Sequence, residues 1–120
     1  MVKFKIDYDK ESDNLFLFRQ EKSKGSIEIG NLILDFDSKG KLAGIEFLNA
    51  TKFLKDSVAE DVKTFISKEF LSNIVKCEIE SKQKNNFLFI KIILVGKKIE
   101  VSCPINTPLI KETSPALASV

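Results

Sequence analysis

The chain has 120 residues, 43% of them hydrophobic and 30% charged, with a formal net charge of +2 and no histidine. That balance suits one soluble domain with a single modest core, and no apolar run approaches the roughly 20 residues of a membrane-spanning helix. The missing histidine removes the commonest general base, the Ser-His and Cys-His nucleophile pairs, and the most frequent transition-metal ligand.

The basic residues are eighteen lysines and one arginine, Arg19. A single guanidinium argues against base-specific DNA reading, where bidentate arginine contacts predominate, and leaves weak lysine-mediated phosphate binding open. Residues 1–50 contain 8 basic and 9 acidic side chains, and residues 51–120 contain 11 and 8, so the second half is mildly basic. Cys77 and Cys103 both fall in alternating apolar patterns, too far apart for a CxxC pair or a zinc knuckle. They are expected as small buried hydrophobes, with a disulfide between neighbouring strands as the alternative. Met1 to Lys5 lacks the apolar stretch of a secretion signal, so a cytoplasmic location is expected.

Lys3 to Tyr8 alternates as a half-buried strand, and Asp9 to Asn14 is a polar turn. The next strand carries Leu15-Phe16-Leu17-Phe18, apolar on both faces, which calls for a central position or cover from both sides. Ser26 to Asp37 reads as one strand with an interruption. Ile27 and Ile29 are odd-numbered while Leu32, Leu34 and Phe36 are even-numbered, so Gly30-Asn31 must supply a bulge or a short turn. Ser38-Lys39-Gly40 closes a hairpin onto Leu42 to Leu48.

Asn49 is placed to cap a short helix, Ala50 to Lys55. Ser57 and Glu60 have capping-box spacing, and Val58, Val62, Phe65, Ile66 and Phe70 share one face at the helical period. One long amphipathic helix from Val58 is therefore expected. A three-stranded meander follows. Ile74 to Lys82 buries Val75, Cys77 and Ile79; Phe87 to Val95, the most apolar strand, is expected at the sheet's centre; Ile99 to Ile105 is an edge strand because of Pro104. Asn106 to Val120, with Pro108 and Pro115, is expected as a flexible or loosely packed tail.

Two segments carry a resemblance. Tyr8, Asp9, Glu11, Asp13 and Leu15 in YDKESDNLFLF, followed by Asp35, Asp37, Gly40, Gly44, Ile45, Glu46, Leu48 and Ala50, are similar to a small prokaryotic family, domain of unknown function 2283. The likeness runs from about Phe4 to Thr51. Phe16 and Phe36 stand where the family usually has tyrosine, and Gly30-Asn31 where it has Asp-Gly. The resemblance implies a compact α+β module and provides no catalytic residues. Members lie beside small toxin-like proteins, which implies an antitoxin or partner role.

Three constellations have functional readings. Asp7, Asp9, Glu11 and Asp13 resemble a cation loop in composition, but no DxDxDG frame with a glutamate at its end exists, so turn chemistry is expected. Asp35 and Asp37, with Glu46 on the paired strand, are the metal or acid-base candidates, set against ordinary hairpin vocabulary. Phe87 and Phe89 share a face with Lys91 and Ile93, as a core or dimer interface or as a base-stacking surface.

The expectation is one α+β domain over residues 1–105, a mainly antiparallel sheet of about seven strands in the order ββββ-α-α-βββ. Residues 1–55 are the segment of resemblance, 56–105 the helix and meander, and 106–120 the tail. The leading function is a non-enzymatic interaction or regulatory module that self-associates as a homo-oligomer or binds a small protein partner. No cofactor or membrane partner is expected. The alternatives are a nucleic-acid-associated protein using lysines with Phe87 and Phe89, and a carboxylate-dependent metal enzyme.

Overall fold

Strand alternation dominates the architecture of the computed structural model, which describes residues 1–109. The strands are β1 (Val2–Asp9), β2 (Asn14–Phe18), β3 (Gly25–Ile29), β4 (Leu32–Phe36), β5 (Leu42–Phe47), β6 (Lys76–Lys84), β7 (Phe87–Val95) and β8 (Glu100–Pro108). They form one sheet in the order β3-β4-β5-β2-β1-β6-β7-β8, every pair antiparallel. Between β5 and β6 lie three short helices, α1 (Ala50–Ser57), α2 (Glu60–Lys63) and α3 (Lys68–Ser72).

The joint of the sheet is β1. Its residues Lys5 to Asp9 pair with β2, whereas Val2 to Phe4 pair with β6. The two halves of the sheet are therefore offset along the strand direction, and β6, β7 and β8 project past the start of β1. This offset matters for the site described below.

Register puts the apolar set on one face. Leu17 lies opposite Ile45 and Ile6, Leu34 opposite Ile45, Cys77 opposite Leu94, and Ile92 opposite Cys103. The helices and the segment between α2 and α3 cover this face, burying Leu54, Ile66 and Leu71 in the same core cluster as Leu15, Phe47 and Ile90. The other face carries no helix among the described residues. As expected, β2 is an interior strand and the proline-bearing β8 is an edge.

Six expectations are corrected. The segment 26–37 is two strands, making eight rather than seven: Gly30, at φ +57°, turns a two-residue hairpin that pairs Ile29 with Leu32 and Ile27 with Leu34. A two-residue loop pairs odd positions with even ones, which is why the apolar parity switches there.

The single long helix is also absent. Thr64 to Ser67 interrupts it, leaving α2 and α3, and Phe65 is 49% exposed. Thr, Phe, Ile and Ser are indifferent helix formers in sequence, and the Ser67 side chain accepts from the Phe70 amide, starting a new helix instead. The proposed capping serine, Ser57, ends α1 and donates to the Phe53 carbonyl.

The strand β7 is next to the edge rather than central, because β8 simply continues the meander outward. Val75 precedes β6 and is 62% exposed. Finally, β8 runs to Pro108 and Leu109 is buried, so the fold extends past the boundary expected at Ile105; the remainder of the expected tail, 110–120, lies outside the described residues.

Candidate functional site

The acidic turn after β1 is structural chemistry. The Asp9 carboxylate accepts from the Glu11 amide (3.1 Å) and the Ser12 hydroxyl (2.8 Å), closing the turn. Asp13, at φ +58° and only 6% exposed, reaches across to α1. It accepts from the Tyr8 hydroxyl (2.6 Å), the Thr51 hydroxyl (2.6 Å) and the Thr51 amide (3.1 Å), and its own carbonyl accepts from the Ala50 amide (2.8 Å). A residue 38 positions away thus caps α1, while Asn49, the expected cap, sits at φ +57° with no side-chain bond. Burial works against the Asp13 charge, but the bonds from Thr51 and Tyr8 and the charge of Lys68 outweigh it and hold the carboxyl below its ordinary value. Burial and the bond to Asp13 push the Tyr8 hydroxyl upward.

The lone arginine is equally committed. The Arg19 guanidinium donates twice to the Leu42 carbonyl (3.0 and 2.6 Å) and once to Asp37 (3.1 Å), and lies 5.8 Å from the Phe4 ring centre. The Asp37 carboxylate also accepts from the Lys39 and Lys41 amides. Those amide bonds, with Lys41 first, and the Arg19 charge outweigh desolvation and hold Asp37 below the usual carboxylate range. A cleft of about 490 Å³ opens beside Arg19, between Val2, Phe36, Leu42 and Leu88.

The expected set Asp35, Asp37 and Glu46 is divided. Asp37 turns into the hairpin with Arg19, whereas Asp35 and Glu46 lie on the open face of the sheet, where Asp35 accepts from the Ser26 hydroxyl. Among the described residues no three His, Cys, Asp or Glu side chains converge as a metal site.

Asp35 and Glu46 instead join Asp7, Asp9 and Phe16 around a shallow depression of about 410 Å³. Its floor depends on Gly44, where a Cβ would come within 3.1 Å of Asp35 Oδ2 and 3.2 Å of the Phe16 ring. Phe16 stacks on Phe18 with ring centres 4.8 Å apart.

The other half of the same face is basic. Phe87 and Phe89 are 46% and 41% exposed, stacked 6.1 Å apart. Opposite them in register stand Lys84 and Lys82, with Lys91 next along β7 and Ile93 half-buried beyond it. Sequence reading found Phe87, Phe89, Lys91 and Ile93 but missed Lys82 and Lys84. The signal was present: a two-residue turn at Asn85-Asn86 forces those pairings, and both asparagines have the positive φ of that turn.

The model of the family described as "Protein of unknown function (DUF2283)" matches residues 5–50. An uncharacterized protein of Methanocaldococcus jannaschii is 36% identical over 101 residues, covering 83% of this chain and 81% of that protein. The chain belongs to the DUF2283 family. No solved structure matches it. The DUF2283 segment spans β1 to β5 and ends at the first residue of α1, so it contains Tyr8 and Asp13 but stops one residue short of Thr51. It also holds the whole acidic depression, whereas the basic patch on β6 and β7 lies outside it.

Both cysteines are buried and free, on β6 and β8 with β7 between them. Two strand spacings are about 10 Å, beyond disulfide reach, so the bonded alternative does not apply. Burial pushes both thiols up to about 12, which removes them as nucleophiles. No helix among the described residues is long and apolar enough to cross a membrane.

Proposed function

We infer that this DUF2283 protein is a cytoplasmic, non-enzymatic interaction module that self-associates through the open face of its sheet. One observation carries the reading: Phe87 and Phe89 stand about half exposed on a face with no covering element among the described residues. Contiguous exposed aromatic surface on a stable strand marks an interaction site more often than it marks solvent-facing surface. An antitoxin-like role toward a small protein partner accords with such a module and draws on the family resemblance. Size-exclusion chromatography with light scattering tests self-association. The expected mass is a multiple of the 13.5 kDa chain, falling toward 13.5 kDa in Phe87→Ser/Phe89→Ser; a wild-type protein of 13.5 kDa at every concentration would refute it.

The pairing of Lys82 with Phe89 and Lys84 with Phe87 favours one second reading, a single-stranded nucleic-acid surface of stacked rings beside phosphate-binding lysines. Filter retention of oligonucleotides at low salt, abolished by Phe87→Ser/Phe89→Ser, would establish it. No retention at low salt eliminates it.

A further inference from the structure

We propose that a second copy of this chain covers the open face, the basic patch of each copy lying against the acidic depression of the other. The proposal rests on the self-association inferred above and specifies its geometry.

The open face is divided by charge and unified by aromatic surface. At one end Asp7, Asp9, Asp35 and Glu46 surround Phe16, with Phe18 stacked behind it. At the other end Lys82, Lys84 and Lys91 flank Phe87 and Phe89, with Glu80 as the near acid. Neither cluster is neutralised within the chain: the ion pairs on the described residues involve Lys10–Glu69, Arg19–Asp37, Lys63–Glu60 and Lys76–Glu78. Both ends are shallow depressions, of about 410 and 310 Å³, so the two are complementary in sign and not in shape.

Complementary patches on one surface of one chain satisfy the requirement of a twofold interface, in which patch A meets patch B and B meets A. The basic patch lies on β6 and β7, the acidic depression around β5 and β2, and the offset at β1 shifts them to opposite ends of the strands. Strand spacing and rise place them on the order of 30 Å apart, with β1 midway. A twofold axis in the plane of the interface, crossing β1, exchanges them. Superposing like on like would instead set lysines against lysines and carboxylates against carboxylates, which costs several kcal/mol. Charge thus selects the crossed arrangement. The rings supply apolar area, and the charges set register.

A charge swap tests this. Lys82→Glu/Lys84→Glu makes both ends acidic, and Asp7→Lys/Glu46→Lys sets two lysines against Asp9 and Asp35 and cancels the net charge of the acidic end; all four side chains are free of hydrogen bonds in the fold, and circular dichroism checks that each variant retains the wild-type melting profile. Sedimentation velocity should show each variant alone weakened by on the order of tenfold or more, and their equimolar mixture pairing more tightly than either variant alone. High salt should weaken the wild type. Variants that pair as well as the wild type, or a mixture that stays monomeric while the wild type pairs, would overturn this arrangement and leave self-association standing. A monomeric wild type would overturn both.

Discussion

Asp13 is the residue on which the family segment closes. Its carboxylate joins the turn after β1 to the first turn of α1, and its backbone carbonyl holds the Ala50 amide. Asp13→Asn keeps a residue that tolerates positive φ but removes the charge and one acceptor oxygen, so it should destabilise by about 2 kcal/mol at neutral pH. The sign of the pH dependence follows from a carboxyl held below its ordinary 3.8. That stabilisation is complete above 3.8 and is lost as pH falls through the lower folded value. Thermal melts should show the gap between wild type and Asp13→Asn closing below about pH 4, and a gap independent of pH would contradict the assignment. Cys77 and Cys103, both free and raised to about 12, should resist iodoacetamide in the native protein and react on unfolding. Fast native labelling would mean that the core opens.

At the scale of elements, the β6–β7 hairpin and the β8 edge make the firmest predictions. Asn86 holds φ +65°, so Asn86→Val should lower stability by about 1 to 2 kcal/mol whereas Asn86→Gly is tolerated, as urea melts would record. Equal stabilities would show that the turn is not of this type. The Leu109 amide donates to the Asn86 carbonyl, which puts odd-numbered residues of β8 in the hydrogen-bonded pairs and turns even-numbered amides toward the open edge. Pro104 and Pro108 remove two of those donors, so Pro104→Thr should increase aggregation by restoring one. Turbidity on heating measures this, and an unchanged profile would deny the edge a protective role.

Strands were legible in the sequence because alternation is a local property. The limits of Phe87–Val95 and the edge position of Pro104 were both readable from neighbouring residues. What was not legible depends on distant partners. Asp13 capping α1 requires knowing that β2 and β5 are adjacent, and the division of Asp35 from Asp37 follows from a register shift between Asp35 and Phe36. The helix from Val58 failed for a different reason: an apolar stripe at helical spacing survives a break, since α2 and α3 both still face the core. The acidic depression combines Asp7, Asp35 and Glu46 from three strands, and only the order β4-β5-β2-β1 brings them together.

For the whole molecule, the two-layer arrangement explains why strands apolar on both faces are tolerated only in part. Helices cover one face, and the other keeps Phe16, Phe18, Phe87, Phe89 and Ile93 without cover among the described residues. In the arrangement proposed above, a second copy on that face completes the burial that β2 and β7 prepare. The most direct measurement is solvent paramagnetic relaxation of the phenylalanine ring protons, with a soluble nitroxide added at two protein concentrations. Rings of Phe16, Phe18, Phe87 and Phe89 should be shielded in concentrated solution and broadened on dilution, while the buried ring of Phe47 stays sharp throughout. Broadening of Phe87 and Phe89 alike at both concentrations would show an uncovered face and contradict the account.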